Sequence, residues 1–184
     1  MSGKKITGLA ASFDLESYGL DPVYGRLLCG VVKPWGEKPK VYRLAYACSD
    51  DSKLVTELVD ELSQYAVLFA HNGLFYDRAM LNGRALAYGL PVLDSHAKMV
   101  DPYLVARKHL NMRRNSLDAL AEHMHLDEQK MHLSPEVWVK AALDHDEKAM
   151  KTLVARCVSD CAVLEQLATR ILPMVGNITP WGSA

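Results

Sequence analysis

The chain has 184 residues, 49% of them apolar, and its 21 basic and 22 acidic side chains leave a formal net charge of -1. That length suits one domain with a sizeable core, and the near-neutral balance gives no global electrostatic case for nucleic acid, which would need a local patch. No apolar run reaches a membrane span, residues 1–5 have no signal-peptide layout, and Cys29, Cys48, Cys157 and Cys161 lack C-x-x-C zinc spacing, so a cytoplasmic, reducing location is expected.

In chain order, the apolar run at residues 6–13 predicts a buried strand, with Asp14-Leu15-Glu16 at its end. Side chains two apart share one face of a strand, so Asp14 and Glu16 present paired carboxylates while Leu15 points into a core. Like charges this close repel and raise one pKa unless a cation lies between them. Hard oxygen donors suit magnesium, manganese or calcium; two solvated acids on an exposed strand end are the plainer alternative. A turn-rich stretch at 18–22 precedes two further predicted strands, 27–33 and 40–46, joined by a hairpin loop at 34–39. From Asp51 the period becomes helical, with Leu54, Val55, Leu58, Val59 and Leu62 on one face. The run at 65–70 predicts a fourth strand, which the helix before it allows to lie parallel to the first.

His71-Asn72-Gly73 follows directly. Asn-Gly is a hairpin signal, yet Ala79, Met80, Leu81, Leu86 and Ala87 carry helical spacing, ended by Gly89-Leu90-Pro91. Asp77 is then expected at a helix N-terminus and at the C-terminal edge of the sheet, a third carboxylate beside Asp14 and Glu16. Asp101 is expected to cap a helix through Leu104, Val105 and Leu110. Arg107, Lys108, His109, Arg113 and Arg114 concentrate positive charge, as a phosphate-contacting patch or a solvated face. Ser116 is expected to cap the next helix, and Ser134-Pro135 to open another. A long final helix is expected over 147–172, with Leu153, Cys157, Val158, Cys161, Leu164 and Leu167 as its buried stripe. Asp160 falls within or beside that stripe, where an acid must be paired or metal-bound; Arg156, one turn earlier, is the local alternative partner. Without repeats or linkers, the succession reads as one α/β domain over residues 1–184.

Taken in order, D-x-E on the first strand, H-N-x-x-x-x-D after the fourth and a late helical aspartate resemble the DEDD (DnaQ-like) superfamily of 3′–5′ exonucleases. His71-Asn72-Gly73, Val100-Asp101-Pro102-Tyr103, residues 115–120 and residues 138–173 are similar to its phage and bacterial ribonuclease H-like exonuclease branch, so nearly the whole chain is covered. The resemblance implies a ribonuclease H-like mixed β-sheet, an antiparallel meander plus parallel strands, flanked by α-helices. It further implies hydrolysis of DNA or RNA, single-stranded 3′ ends favoured, with two divalent ions, Mg2+ or Mn2+. Asp14 would bridge both ions, Glu16 and Asp160 would hold one, and Asp77 would help to hold the other. Asn72 belongs to the second motif and is expected on the substrate side, with Arg107, Lys108, Arg113, Arg114 and Arg156.

The third motif departs from the pattern. That branch carries a water-orienting tyrosine four residues before the last aspartate, and here the position is Arg156; the histidine of the other branch falls on Ala155. A catalytically weak or inactive nucleic-acid-binding domain of the same fold is therefore the second expectation. Pairing of Arg156 with Asp160 is expected ahead of contact with a substrate phosphate, because i, i+4 neighbours meet without any tertiary assumption.

Overall fold

The computed structural model describes residues 10–93, 97–127 and 131–176, so the predicted start of the first strand at 6–9 lies outside the described residues. Among the described residues there are five strands: β1 (Ala10–Tyr18), β2 (Arg26–Pro34), β3 (Lys40–Arg43), β4 (Val67–Phe69) and β5 (Lys98–Val100). The same residues form six α-helices: α1 (Ser52–Leu62), α2 (Asp77–Ala87), α3 (Pro102–His109), α4 (Leu117–His123), α5 (Glu136–Leu143) and α6 (Glu147–Ile171). The sheet order is β3-β2-β1-β4-β5. β1, β2 and β3 pair antiparallel, while β1, β4 and β5 pair parallel. This is the mixed sheet expected from the succession of periods, with α1 as the crossover that turns the chain back for the parallel half.

β1 does not stop at Phe13. It pairs with β2 as far as Tyr18 opposite Arg26, with a register irregularity between Glu16 and Ser17. β4 covers only Ala10 to Ser12 of its other edge. Asp14 therefore stands in mid-strand, beyond the reach of β4 but fully backed by β2. The expected alternation holds. A Cβ added to Gly30, the register partner of Leu15, would lie 2.6 Å from Leu15 Cδ2 and 2.8 Å from Leu58 Cδ2, so this face packs on α1. On the opposite face Ser12 Oγ donates to the Cys161 carbonyl at 3.1 Å, and Cys157 Sγ donates to the Asp14 carbonyl at 3.6 Å. That face lies on α6.

α6 buries Leu153, Cys157, Cys161, Leu164 and Leu167, with Val158 half-buried. Each buried leucine contributes about 1.5–3 kcal/mol by leaving water. The helix starts where Asp146 accepts from the backbone N–H groups of Lys148 (2.7 Å) and Ala149 (3.0 Å), and ends at Ile171, with Pro173 in a short 3-10 turn beyond. Asp101 caps α3 as expected, accepting from Tyr103 N–H at 2.9 Å. Ser116 occupies the cap position of α4 without a side-chain cap bond, and Pro135 stands one residue before α5 rather than inside it. β3 ends at Arg43, short of the predicted 46, because the chain turns away at Ala47, where φ is 53°. Cys29, Cys157 and Cys161 are buried free thiols. Among the described residues no helix is long and apolar enough to cross a membrane.

Candidate metal centre

Four carboxylates converge from three elements. Asp14 and Glu16 share the α6-facing side of β1 by strand alternation. Asp77 is the first residue of α2, and Asp160 lies on the buried stripe of α6. Glu16, Asp77 and Asp160 are 7%, 4% and 2% exposed, and Asp14 is half-buried.

Asn72-Gly73 makes the turn that delivers Asp77, so its hairpin reading gives way. Asn72 takes the left-handed conformation at φ 59°, and a Cβ on Gly73 would collide with Ala70. The Asn72 N–H donates to Asp101 Oδ1 at 2.8 Å, tying this turn to the cap of α3. Asp77 then reaches β1 itself: its Oδ1 accepts the Leu15 N–H at 3.0 Å, on the edge that β4 leaves open.

The electrostatics follow from burial and crowding. Burial holds the Asp14 carboxyl well above the usual range, and the charges of Asp77, Asp160 and Glu16 push it further the same way. Asp77 is pushed up to about 7, chiefly by burial and against the pull of the Leu15 N–H. Burial also raises Glu16, while Arg156 and Trp138 pull it back. A divalent cation relieves this kind of crowding directly. The donor set fits one: ligand atoms of Asp14, Glu16 and Cys157 lie within 4.8 Å of one another. Burial keeps the Cys157 thiol protonated by raising its pKa, so the ligands offered are hard carboxylate oxygens, suited to Mg2+ or Mn2+.

Arg156 enters this group from α6. Its Nε lies 2.7 Å from Glu16 Oε1 and 3.8 Å from Asp160 Oδ2. The expected Asp160 neighbour is thus the more distant carboxylate, since Glu16 extends across from β1 and meets the guanidinium first. Its Nη1 donates to the Met131 carbonyl at 2.8 Å, and its guanidinium carbon stands 5.2 Å from the centre of the Trp138 ring. Trp138 Nε1 donates to the other Glu16 oxygen, Oε2, at 2.7 Å. A cleft of about 580 Å³ opens beside this pair, lined by Glu16, Leu20, Tyr76, Leu133, Trp138 and Arg156 among others.

The remaining residues expected on the substrate side lie on or beside α3 and the turn after β4. Arg107 sits over the Tyr103 ring at 5.5 Å, and Tyr103 meets His71, next to Asn72, edge-on at 5.9 Å. Lys108 and Arg113 are exposed, and Arg114 makes its ion pair with Asp118, at 3.1 Å, rather than with one of the four carboxylates. Sequence reasoning missed Trp138 and Met131 as partners of the site. An indole and a backbone carbonyl have no local signature, so only the tertiary fold discloses them.

A family model described as the RNase_H superfamily matches residues 11–172. No curated protein matches the sequence. Among solved structures, the chain is similar to the family B DNA polymerase from the hyperthermophilic archaeon Pyrobaculum calidifontis, with a TM-score of 0.76 and 22% identity. That likeness covers 94% of this chain and 26% of the polymerase, so the chain spans about a quarter of that protein's length.

Proposed function

We propose that this chain, which belongs to the RNase H superfamily, is a metal-dependent 3′–5′ exonuclease acting on single-stranded ends of nucleic acid, with residues 1–184 as one exonuclease domain. The observation that carries this reading is the convergence on Asp14: Asp77, Asp160 and Glu16, from separate parts of the chain, all press on its carboxyl. Asp14, Glu16, Asp77 and Asp160 would hold Mg2+ or Mn2+. When bound, a divalent ion supplies Lewis-acid polarisation of the scissile phosphate and lowers the pKa of an attacking water. The chain's own contribution is positioning. The Leu15 N–H fixes Asp77, and strand alternation fixes Asp14 beside Glu16. Trp138, Tyr76 and Leu20 give the cleft beside Glu16 faces on which a terminal base can stack. Asn72, Arg107, Lys108, Arg113 and Arg114 serve the phosphate backbone farther from the centre.

The test is a time course on end-labelled single-stranded and duplex DNA and RNA with Mg2+ or Mn2+. Shortening from the 3′ end is expected, falling to the chelator background in Asp14→Ala. Activity that survives excess chelator, or is unchanged in Asp14→Ala, overturns the assignment. A second reading has one observation in its favour, the Arg156–Glu16 ion pair at 2.7 Å in the place of the tyrosine. On it the chain is a nucleic-acid-binding domain with little or no turnover, and the labelled strands would be retained at full length.

A further inference from the structure

We propose that this chain loads one divalent ion rather than two, the Arg156 guanidinium standing as the fixed cation where Glu16 and Asp160 would share the other. The inference rests on the four carboxylates being a metal site, as in the reading above, but not on their catalysing hydrolysis. A second ion would need the two carboxylates that Arg156 now spans, at 2.7 Å from Glu16 and 3.8 Å from Asp160. Glu16 is further committed through its second oxygen, which accepts the Trp138 indole N–H at 2.7 Å.

The guanidinium is held from several directions. Besides its ion pairs with Glu16 and Asp160, it donates from Nη1 to the Met131 carbonyl at 2.8 Å and lies over the Trp138 ring, and its side chain is only 16% exposed. Lysine or histidine in this position could lose its proton and leave a neutral gap for a metal. Arginine keeps its charge in proteins, so a dication binding to the same oxygens would face an undiminished positive charge. Arg156 makes its ion pairs with Glu16 and Asp160, so the one ion would be held by the other half of the cluster, Asp14 and Asp77, with a Glu16 carboxylate oxygen within 4.8 Å of an Asp14 oxygen. One ion on that half leaves Arg156 as a permanent charge on the cleft wall, facing the space a phosphate would enter. The departure at the tyrosine position then exchanges a metal-borne charge for a covalently tethered one.

The experiment counts Mn2+ per chain, without nucleic acid, from the free-ion electron paramagnetic resonance signal during titration. One ion per chain is expected for the parent and for Trp138→Phe, which keeps the guanidinium. A doubling to two is expected for Arg156→Gln and Arg156→Met, with the dipolar broadening that two close Mn2+ ions produce. Two ions in the parent, or one in both Arg156 variants when circular dichroism shows them folded, would overturn the proposal; a rise to two in Trp138→Phe would assign the block to the indole instead and overturn it too. A parent that takes up one ion yet never shortens a labelled strand leaves the count standing and removes the exonuclease reading. Cleavage by a parent carrying two ions does the reverse.

Discussion

Asp77 carries a proton at pH values where an ordinary aspartate has lost it. Its folded pKa is about 7 against an ordinary 3.8, so the folded chain binds this proton more tightly than the unfolded chain. The resulting stabilisation is fully present below about pH 3.8 and is lost as pH rises toward 7. Asp14 and Glu16 are raised too and act in the same direction. Asp50, Glu61, Asp118 and Asp146 are lowered and act the opposite way, but their contribution is complete once pH passes the ordinary carboxylate values of 3.8 and 4.5, so they oppose the trend only at the foot of this window. The melting temperature in chelator should therefore fall between about pH 5.5 and pH 7. Asp77→Asn should flatten that slope, and Mn2+ should restore stability at neutral pH by replacing protons in the cluster. Thermal melts across the window decide it: a melting temperature that climbs steadily with pH in chelator contradicts the clustering. In Asp14→Ala the same crowding is relieved, and the metal-free variant should melt higher than the parent; a lower melting temperature would count against that.

Elements are joined here by a buried acid that serves no chemistry. Asp51 stands at the cap position of α1, yet its carboxylate turns inward. It accepts the Leu27 N–H at 2.6 Å, Arg84 at 2.6 and 3.1 Å, and the Tyr88 hydroxyl at 2.6 Å, joining β2, α1 and α2. Asp51→Ala strands a guanidinium whose side chain is 11% exposed and should cost about 3–5 kcal/mol, read as a lower urea midpoint. Metal uptake should be unchanged, which separates this junction from the carboxylate cluster. The contrast also shows what a sequence discloses. The apolar periods of α1 and α6 are local, and both helices were legible within a residue or so. So were the placements of Asp14 and Glu16 on one face of a strand, of Asp77 at the start of a helix and of Asp160 beside the buried stripe, because alternation, the helix start and helix phase are local. Asp51 was legible only as a helix start, since its partners are 24 to 37 residues away. Arg156 was legible as odd but not as Glu16's partner, because local spacing favours Asp160 and the closer contact crosses from β1. The extent of β1 was hidden for a related reason: two acids and a serine at 14–17 weaken the strand signal, and β2 holds them in the ladder regardless.

On the scale of the whole molecule, a net charge of -1 leaves nucleic-acid affinity to local patches. Exposed Arg113 and Arg114 lie after α3, beyond the Arg107–Tyr103–His71 contact that leads back to Asn72. Replacing both by glutamine should weaken binding to every sequence about equally, because phosphate contacts position the strand without reading it. The slope of log affinity against log salt should become shallower by about 1.4 for single strands, at roughly 0.7 for each phosphate no longer neutralised. Fluorescence anisotropy over a salt series measures this; an unchanged slope would mean the two arginines are a solvated surface.

The bond from the Leu15 N–H to Asp77 has a historical consequence. Where β4 stops, this carboxylate substitutes for the missing strand, so the fold itself has a claim on Asp77 that is independent of any metal or substrate. Asp77→Ala would leave a buried amide orphaned as well as removing a proposed ligand, and a loss of activity in that variant would mix two causes; Asp77→Asn keeps an acceptor and separates them. It also follows that a lineage which gave up hydrolysis would still be selected to retain this aspartate for shape alone. Its presence in a chain is a weaker mark of turnover than that of Asp14, whose carboxylate closes no strand.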